Sequence, residues 1–180
     1  MDNYTKLAKF AIENYVKTGK KIDVPKNLPK EMLEKKSGVF VSIHESTQTN
    51  TQNNTEKKLR GCIGTFLATK KNIAQEIIDN AISACSSDFR FQPIEKEELN
   101  NLEISVDVLS KPEPIQGITS LDTKKYGVIV KSKDGRTGLL LPDLPDIDTA
   151  ELQVGIARQK AGISPEEPVY LYRFEVTRHK

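Results

Sequence analysis

Residues 38–66, GVFVSIHESTQTNTQNNTEKKLRGCIGTF, decide how this chain is read. The stretch opens on alternating, β-branched GVFVSIHE, the pattern of a half-buried strand. Val39, Val41 and Ile43 take one face, and Phe40, Ser42 and His44 take the other. It closes on LRGCIGTF, a second strand or its edge. Between them Ser46–Thr55 holds no apolar residue. A segment that cannot enter a core is expected as a mobile loop, so the simplest reading is a long hairpin.

Working outward, the pattern alternates between helices and hairpins. Tyr4, Leu7, Ala8, Ala11 and Tyr15 recur at helical spacing, and Gly19 is placed to end that helix. The two prolines of KKIDVPKNLP forbid a continuous helix and make an extended linker, followed by a short helix at KEMLEKK. NIAQEIIDNAISACSS is an amphipathic helix with Ala74, Ile77, Ile78, Ala81 and Cys85 on one face. DFRFQPIEKEEL reads as irregular chain followed by a short acidic turn, and LEISVDVLS as a strand stopped by KPEP. YGVIVKS and TGLLLP flank KDGR, a hairpin signal. DIDTAELQVGIARQKAGI reads as a helix with Asp148 as N-cap, Glu151 three residues on and Gly162 at the C-cap. VYLYRFEVT is a single closing strand. Hairpins outnumber βαβ units, so the expected class is α+β with a mostly antiparallel sheet flanked by helices.

Composition narrows the function. The chain has 180 residues, 29% charged, with a net charge of +2. That size suits one domain, and that charge argues against a dedicated nucleic-acid binder. Residues 1–36 carry nine lysines against five acidic residues, a distribution expected of a solvated helix face. No apolar run reaches the roughly 20 residues of a membrane span. The N-terminus has no signal-peptide core, which makes the cytoplasm the expected location. NTPase, zinc-protease and serine-hydrolase motifs are absent.

The chemistry-bearing residues gather around RGCIG. A thiol becomes a nucleophile as its thiolate, which a nearby guanidinium or open backbone N–H groups favour. Arg60 and Cys62 share a face if the strand is regular, while Gly61 and Gly64 let a group approach the backbone. A buried cysteine in a glycine-kinked strand is the competing reading. His44 comes near Cys62 if the hairpin pairs them, the arrangement that activates thiols. Asp88 and Arg90 either hold an anion or lock their own loop. Cys85 belongs to the core, and His179, next to last, is expected to fray. The cysteines and histidines lack zinc-site spacing, so no metal ligand is assigned.

GVFVSI, LRGCIGTF, DFRFQPI, YGVIV and GLLLP, in this order, resemble the AMME chromosomal region protein family over nearly the whole chain. The resemblance implies one two-lobed α+β domain over residues 1–180, with a larger sheet lobe and a smaller second lobe. It places the family signature on Leu59, Arg60, Gly61, Cys62, Ile63 and Gly64. A second element falls on Asp88, Phe89, Arg90 and Phe91, where proline is usual at position 89. A third, usually His-Gly, falls on Tyr126 and Gly127. The chain also lacks a tryptophan common in the later segment, and LPDIDTAELQ and VYLYRFEVTRH look like the compact bacterial form.

Two functions follow as expectations. One is an enzyme with a cleft around LRGCIG. In it Cys62, Arg60 and His44 would be catalytic, and Gly61, Gly64, Asp88, Arg90 and Tyr126 would bind a small anionic substrate. The other is an adaptor acting with a Memo-like and a radical-SAM protein, the partners the resemblance implies. No cofactor is assigned.

Overall fold

The computed structural model describes residues 1–48 and 55–180. The chain divides into two compact units, Met1–Val108 with Arg178–Lys180, and Leu109–Thr177.

In the first unit, α1 (Asn3–Thr18) and α2 (Lys30–Glu34) precede the hairpin β1 (Val39–Gln48) and β2 (Thr55–Thr65). Then come α3 (Ile73–Ser86), a 3-10 turn at Lys96–Asn101 and β3 (Leu102–Leu109). Asp2 caps α1 by accepting from the backbone N–H groups of Tyr4 and Thr5, and Gly19 ends it at φ 71°. Such a left-handed residue is inexpensive only as glycine. Val39, Val41 and Ile43 are fully buried against α3, in one core with Ile77 and Ile78 and with Ala8 and Ile12 of α1, which packs on α3. Burying each aliphatic side chain contributes about 1.5–3 kcal/mol.

The sheet runs β2-β1-β3-β8, with β8 at Val176–His179. β2 is therefore an edge strand. β1 pairs antiparallel with both β2 and β3. The expected loop is shorter than its polarity suggests, because the ladder continues to Gln48↔Thr55. Backbone pairing does not require apolar side chains once the hairpin extends past the core. The rest of that expected loop, residues 49–54, lies outside the described residues. His179 does not fray: its ring stacks on Tyr4 at 3.8 Å and its Nδ1 pairs with Asp2.

In the second unit, β4 (Glu113–Ile115), β5 (Gly127–Ser132), β6 (Thr137–Leu140) and β7 (Val169–Phe174) form a sheet in the order β4-β7-β5-β6. Helix α4 (Ala150–Lys160) buries Val154 and Ala157 in a core with Val128, Val130 and Leu140. Three details differ from the sequence expectation. β4 is masked in the sequence by Pro114 within it and Pro112 just before it, and an edge strand tolerates proline. The N-cap of α4 is Thr149, whose Oγ1 accepts from the Leu152 N–H at 3.2 Å; Asp148 instead faces Lys124 at 3.4 Å. The closing strand is two, β7 and β8, in different sheets. Gly162 sits one residue past the cap at φ 62°. There the Ile163 N–H reaches the Arg158 carbonyl and the Gly162 N–H reaches that of Gln159, a Schellman closure.

Candidate functional site

The site is built on a kinked edge strand. β1 and β2 pair Ile43 with Gly61 but His44 with Leu59, so Arg60 is the extra residue of a bulge. The bulge breaks the alternation that would set Arg60 beside Cys62. The Arg60 guanidinium instead grips Glu98, donating Nε to Oε1 at 2.6 Å and Nη2 to Oε2 at 3.0 Å. It also donates to the carbonyls of Gln92 and Pro93. Burial pushes the Glu98 carboxyl up, but the Arg60 hydrogen bonds and the Glu95 N–H outweigh it and leave it lowered. Arg60 thus fastens residues 92–98 to the edge of the sheet.

At Cys62 the backbone faces outward, and DFRF covers it. The Cys62 N–H donates to Asp88 Oδ2 at 2.9 Å, and Arg90 Nη2 donates to the Cys62 carbonyl at 3.0 Å. Arg90 closes a fork on Asp88, Nε to Oδ1 at 2.9 Å and Nη2 to Oδ2 at 2.7 Å. The pair replaces a missing neighbouring strand, satisfying both polar groups of one edge residue. Asp88 is buried, and its carboxyl is held down at about 2, chiefly by the Arg90 hydrogen bond. Phe89, between them, is 94% exposed.

The glycines make room for the protein itself. A methyl group added at Gly61 would stand 2.3 Å from the Ala84 carbonyl oxygen of α3. One added at Gly64 would stand 2.2 Å from the Phe40 ring. The expectation that Gly61 and Gly64 leave space for a substrate is corrected: α3 and Phe40 fill it.

The face of this sheet turned away from α1 and α3 carries the remaining chemistry. Ser42 stands opposite both Cys62 and Ser105, so three small polar side chains form one row across β2, β1 and β3. All three are half-buried. The Ser42 hydroxyl donates to Cys62 Sγ at 3.2 Å. On one side the row is bordered by Phe40 and, opposite it, Asp107. Asp107 is buried and accepts from Arg178 Nε and Nη2 at 2.8 and 3.0 Å. On the other side stands His44, whose neighbours are Lys57, Glu103 and Arg178.

This arrangement corrects the expected thiol–imidazole pair. Ser42, not His44, is opposite Cys62; His44 lies two residues along β1, roughly 6.6 Å of strand rise away. Burial pushes the Cys62 thiol up, and the Ser42 hydrogen bond and Arg90 charge only partly oppose it. Burial also pushes His44 down, helped by Lys57 and Arg178 and opposed by Glu103. Near pH 7 the site therefore holds a protonated thiol and a neutral imidazole.

Tyr126 belongs to the second unit. Its ring lies under the Arg173 guanidinium at 4.4 Å and near Lys125 Nζ at 4.7 Å. Its carbonyl accepts from Gln153 Nε2 at 2.9 Å, and Gly127 beside it is covered by the Phe174 ring. Gln153 is fully buried, and its Oε1 has no hydrogen-bond partner among the described residues.

Sequence reasoning passed over Ser42, Ser105, Asp107, Arg178 and Glu98. The available signal was alternation: Ser42 with His44, and Ser105 with Asp107, are polar residues spaced two apart along strands that bury their other face. Among the described residues no group of three His, Cys, Asp or Glu side chains is placed to hold a metal ion. No described helix is long and apolar enough to cross a membrane.

The chain is 48% identical over 178 residues to a Thermotoga maritima protein, covering 98% of this chain and 97% of that one. It is 43% identical to a Clostridium acetobutylicum protein over 99% of its own length but only 36% of the relative's. The crystal structure of an uncharacterised protein from Pyrococcus horikoshii is similar, with a TM-score of 0.83 and 34% identity over 97% of this chain and 88% of that one. The AMMECR1 family model matches residues 5–179, and the chain belongs to the AMMECR1 family.

Proposed function

We propose that the first unit is a binding module that receives a small, polar, uncharged group against the sheet face of Cys62, Ser42 and Ser105. The observation that carries this reading is the row of three small hydrogen-bonding side chains between the bulkier Phe40 and His44. An anionic substrate fits less well, because Arg60 and Arg90 are bound internally by Glu98 and Asp88. A protonated thiol and a hydroxyl offer donors and acceptors without net charge. A catalytic use of the same face would fall to His44, neutral near pH 7 and so free to take a proton.

Iodoacetamide labelling of Cys62 across pH tests the reading, with Cys85→Ala removing the second thiol. The expected midpoint lies above the ordinary thiol value of about 8.5, with labelling at neutral pH slower than for free cysteine. A midpoint below neutrality would overturn it in favour of an activated nucleophile.

Phe89 supports a second reading, the adaptor acting with Memo-like and radical-SAM proteins. A large aromatic held 94% exposed on a turn pinned by Asp88 and Arg90 is pre-organised as an interface anchor. Under this reading, co-purification with those proteins survives Cys62→Ser and weakens with Phe89→Ser. Absence of any complex at micromolar concentrations removes it.

A further inference from the structure

The lysines that precede β1 in sequence do not stay on one helix face. The Ile73 N–H donates to the Lys35 carbonyl at 2.9 Å, and Asn72 Nδ2 donates to the Leu33 carbonyl at 2.9 Å. These bonds lay Lys35 and Lys36 against the start of α3. Lys70 and Lys71 immediately precede that start. Lys21 and Lys70 both reach the Asp79 carboxylate midway along α3, the latter at 2.8 Å, which brings Lys20 and Lys21 beside Lys70. Six lysines from three separate segments therefore converge on one surface. Asp79 and Glu31 answer some of this charge, Glu31 at 3.7 Å from Lys35. Glu76, also near, is buried and already accepts from Thr65, Thr69 and the Lys70 N–H. Lys20, Lys36 and Lys71 are exposed and, among the described residues, pair with neither Asp79 nor Glu31, so the surface stays positive.

The same Glu76 hydrogen bonds brace the loop that follows β2, and that loop presents Leu67, 55% exposed. An exposed apolar side chain on a braced loop thus stands within four residues of Lys70 and Lys71. The cations are all lysines, point charges without the planar fork or stacking face of arginine, and Phe66, the aromatic beside Leu67, is half-buried. Nucleic-acid surfaces of single-strand type combine basic grooves with stacking aromatics, whereas the exposed large aromatics Phe10, Phe89 and Tyr170 all lie outside residues 20–36 and 65–72 that supply these lysines.

We propose that this surface docks an acidic segment of a partner protein, carboxylates meeting Lys20, Lys36 and Lys71 and an apolar side chain meeting Leu67. The proposal is independent of the sheet-face site, which lies on the opposite side of β1 from α3. Charge complementarity of this kind sets encounter rate and partner choice more than raw affinity.

The test uses the full chain and a fluorescein-labelled oligo-glutamate peptide with a central leucine, followed by anisotropy at low and physiological salt. Oligothymidylate of equal length and phosphatidylserine vesicles are measured in parallel. The peptide is expected to bind, to weaken as salt rises, and to lose about tenfold in affinity with Lys36→Glu/Lys71→Glu. Leu67→Ser is expected to weaken it further. Absence of peptide binding at low salt overturns the proposal. So does unchanged affinity in a charge-reversed protein with wild-type circular dichroism, or tighter binding of oligothymidylate or vesicles. If that variant does not fold, amide shifts of the wild-type protein decide: perturbation at Lys36, Leu67 and Lys71 supports the surface, and perturbation elsewhere rejects it.

Discussion

Asp88 accepts the backbone N–H of Cys62 at 2.9 Å. One buried carboxylate therefore both seals the exposed edge of β2 and anchors Arg90. The linkage runs in one direction. The folded carboxyl sits at about 2, below the ordinary carboxylate value, so the unfolded chain binds the proton more tightly. The stabilisation is present above about pH 4 and is lost as pH falls towards 2, about 2 kcal/mol in all. Urea unfolding of wild-type and Asp88→Asn proteins at pH 7 and pH 2 checks this. The gap between them is expected to be wide at pH 7 and to narrow in acid; a pH-independent gap counts against the role.

Arg60 and Glu98 form a bidentate pair with side chains only 17% and 24% exposed. Lysine keeps the charge but not the fork, so Arg60→Lys is expected to cost about 1–2 kcal/mol. A double-mutant cycle with Glu98→Gln should show coupling of about 1 kcal/mol or more. Additive losses would mean that the contacts to the Gln92 and Pro93 carbonyls carry the effect instead.

Gly61→Ala places a methyl group against the Ala84 carbonyl, and overpacking of this kind costs about 1–3 kcal/mol. Gly117→Ala is the control, because nothing lies within 4 Å of an added methyl there. Thermal melts should separate the two variants clearly. Equal melting temperatures would show that α3 yields.

His44 is expected to titrate below the ordinary histidine value of about 6.5 by NMR. Because burial favours the neutral ring, this contribution to stability is present above that value and is lost as pH falls through the folded midpoint. Lys57→Gln removes one opposing charge and should raise the midpoint; no movement would leave burial and Arg178 as the causes.

Much of this fold was legible in local pattern. Val39, Val41 and Ile43 alternate because one face of β1 is buried, and Gly19 and Gly162 mark helix ends because only they adopt φ near +70° without strain. The LRGCIG signature was equally visible. What could not be read was its geometry. Regular alternation sets Arg60 beside Cys62, and only the bulge, a property of pairing with β1, turns Arg60 away to Glu98. Proximity in the hairpin suggests His44 as the partner of Cys62, but register is decided between strands, and it sets Ser42 there.

The sequence by itself determined the class of fold, the places of the helices and hairpins, and the family, because periodicity and motif are local properties of the chain. Tertiary structure alone decided which groups meet. Asp88 and Arg90 close on Cys62 from 26 and 28 residues away, and lysines from three segments gather along α3. It also decided how readily the thiol ionises, since burial, opposed in part by the Ser42 hydrogen bond and the Arg90 charge, pushes Cys62 up.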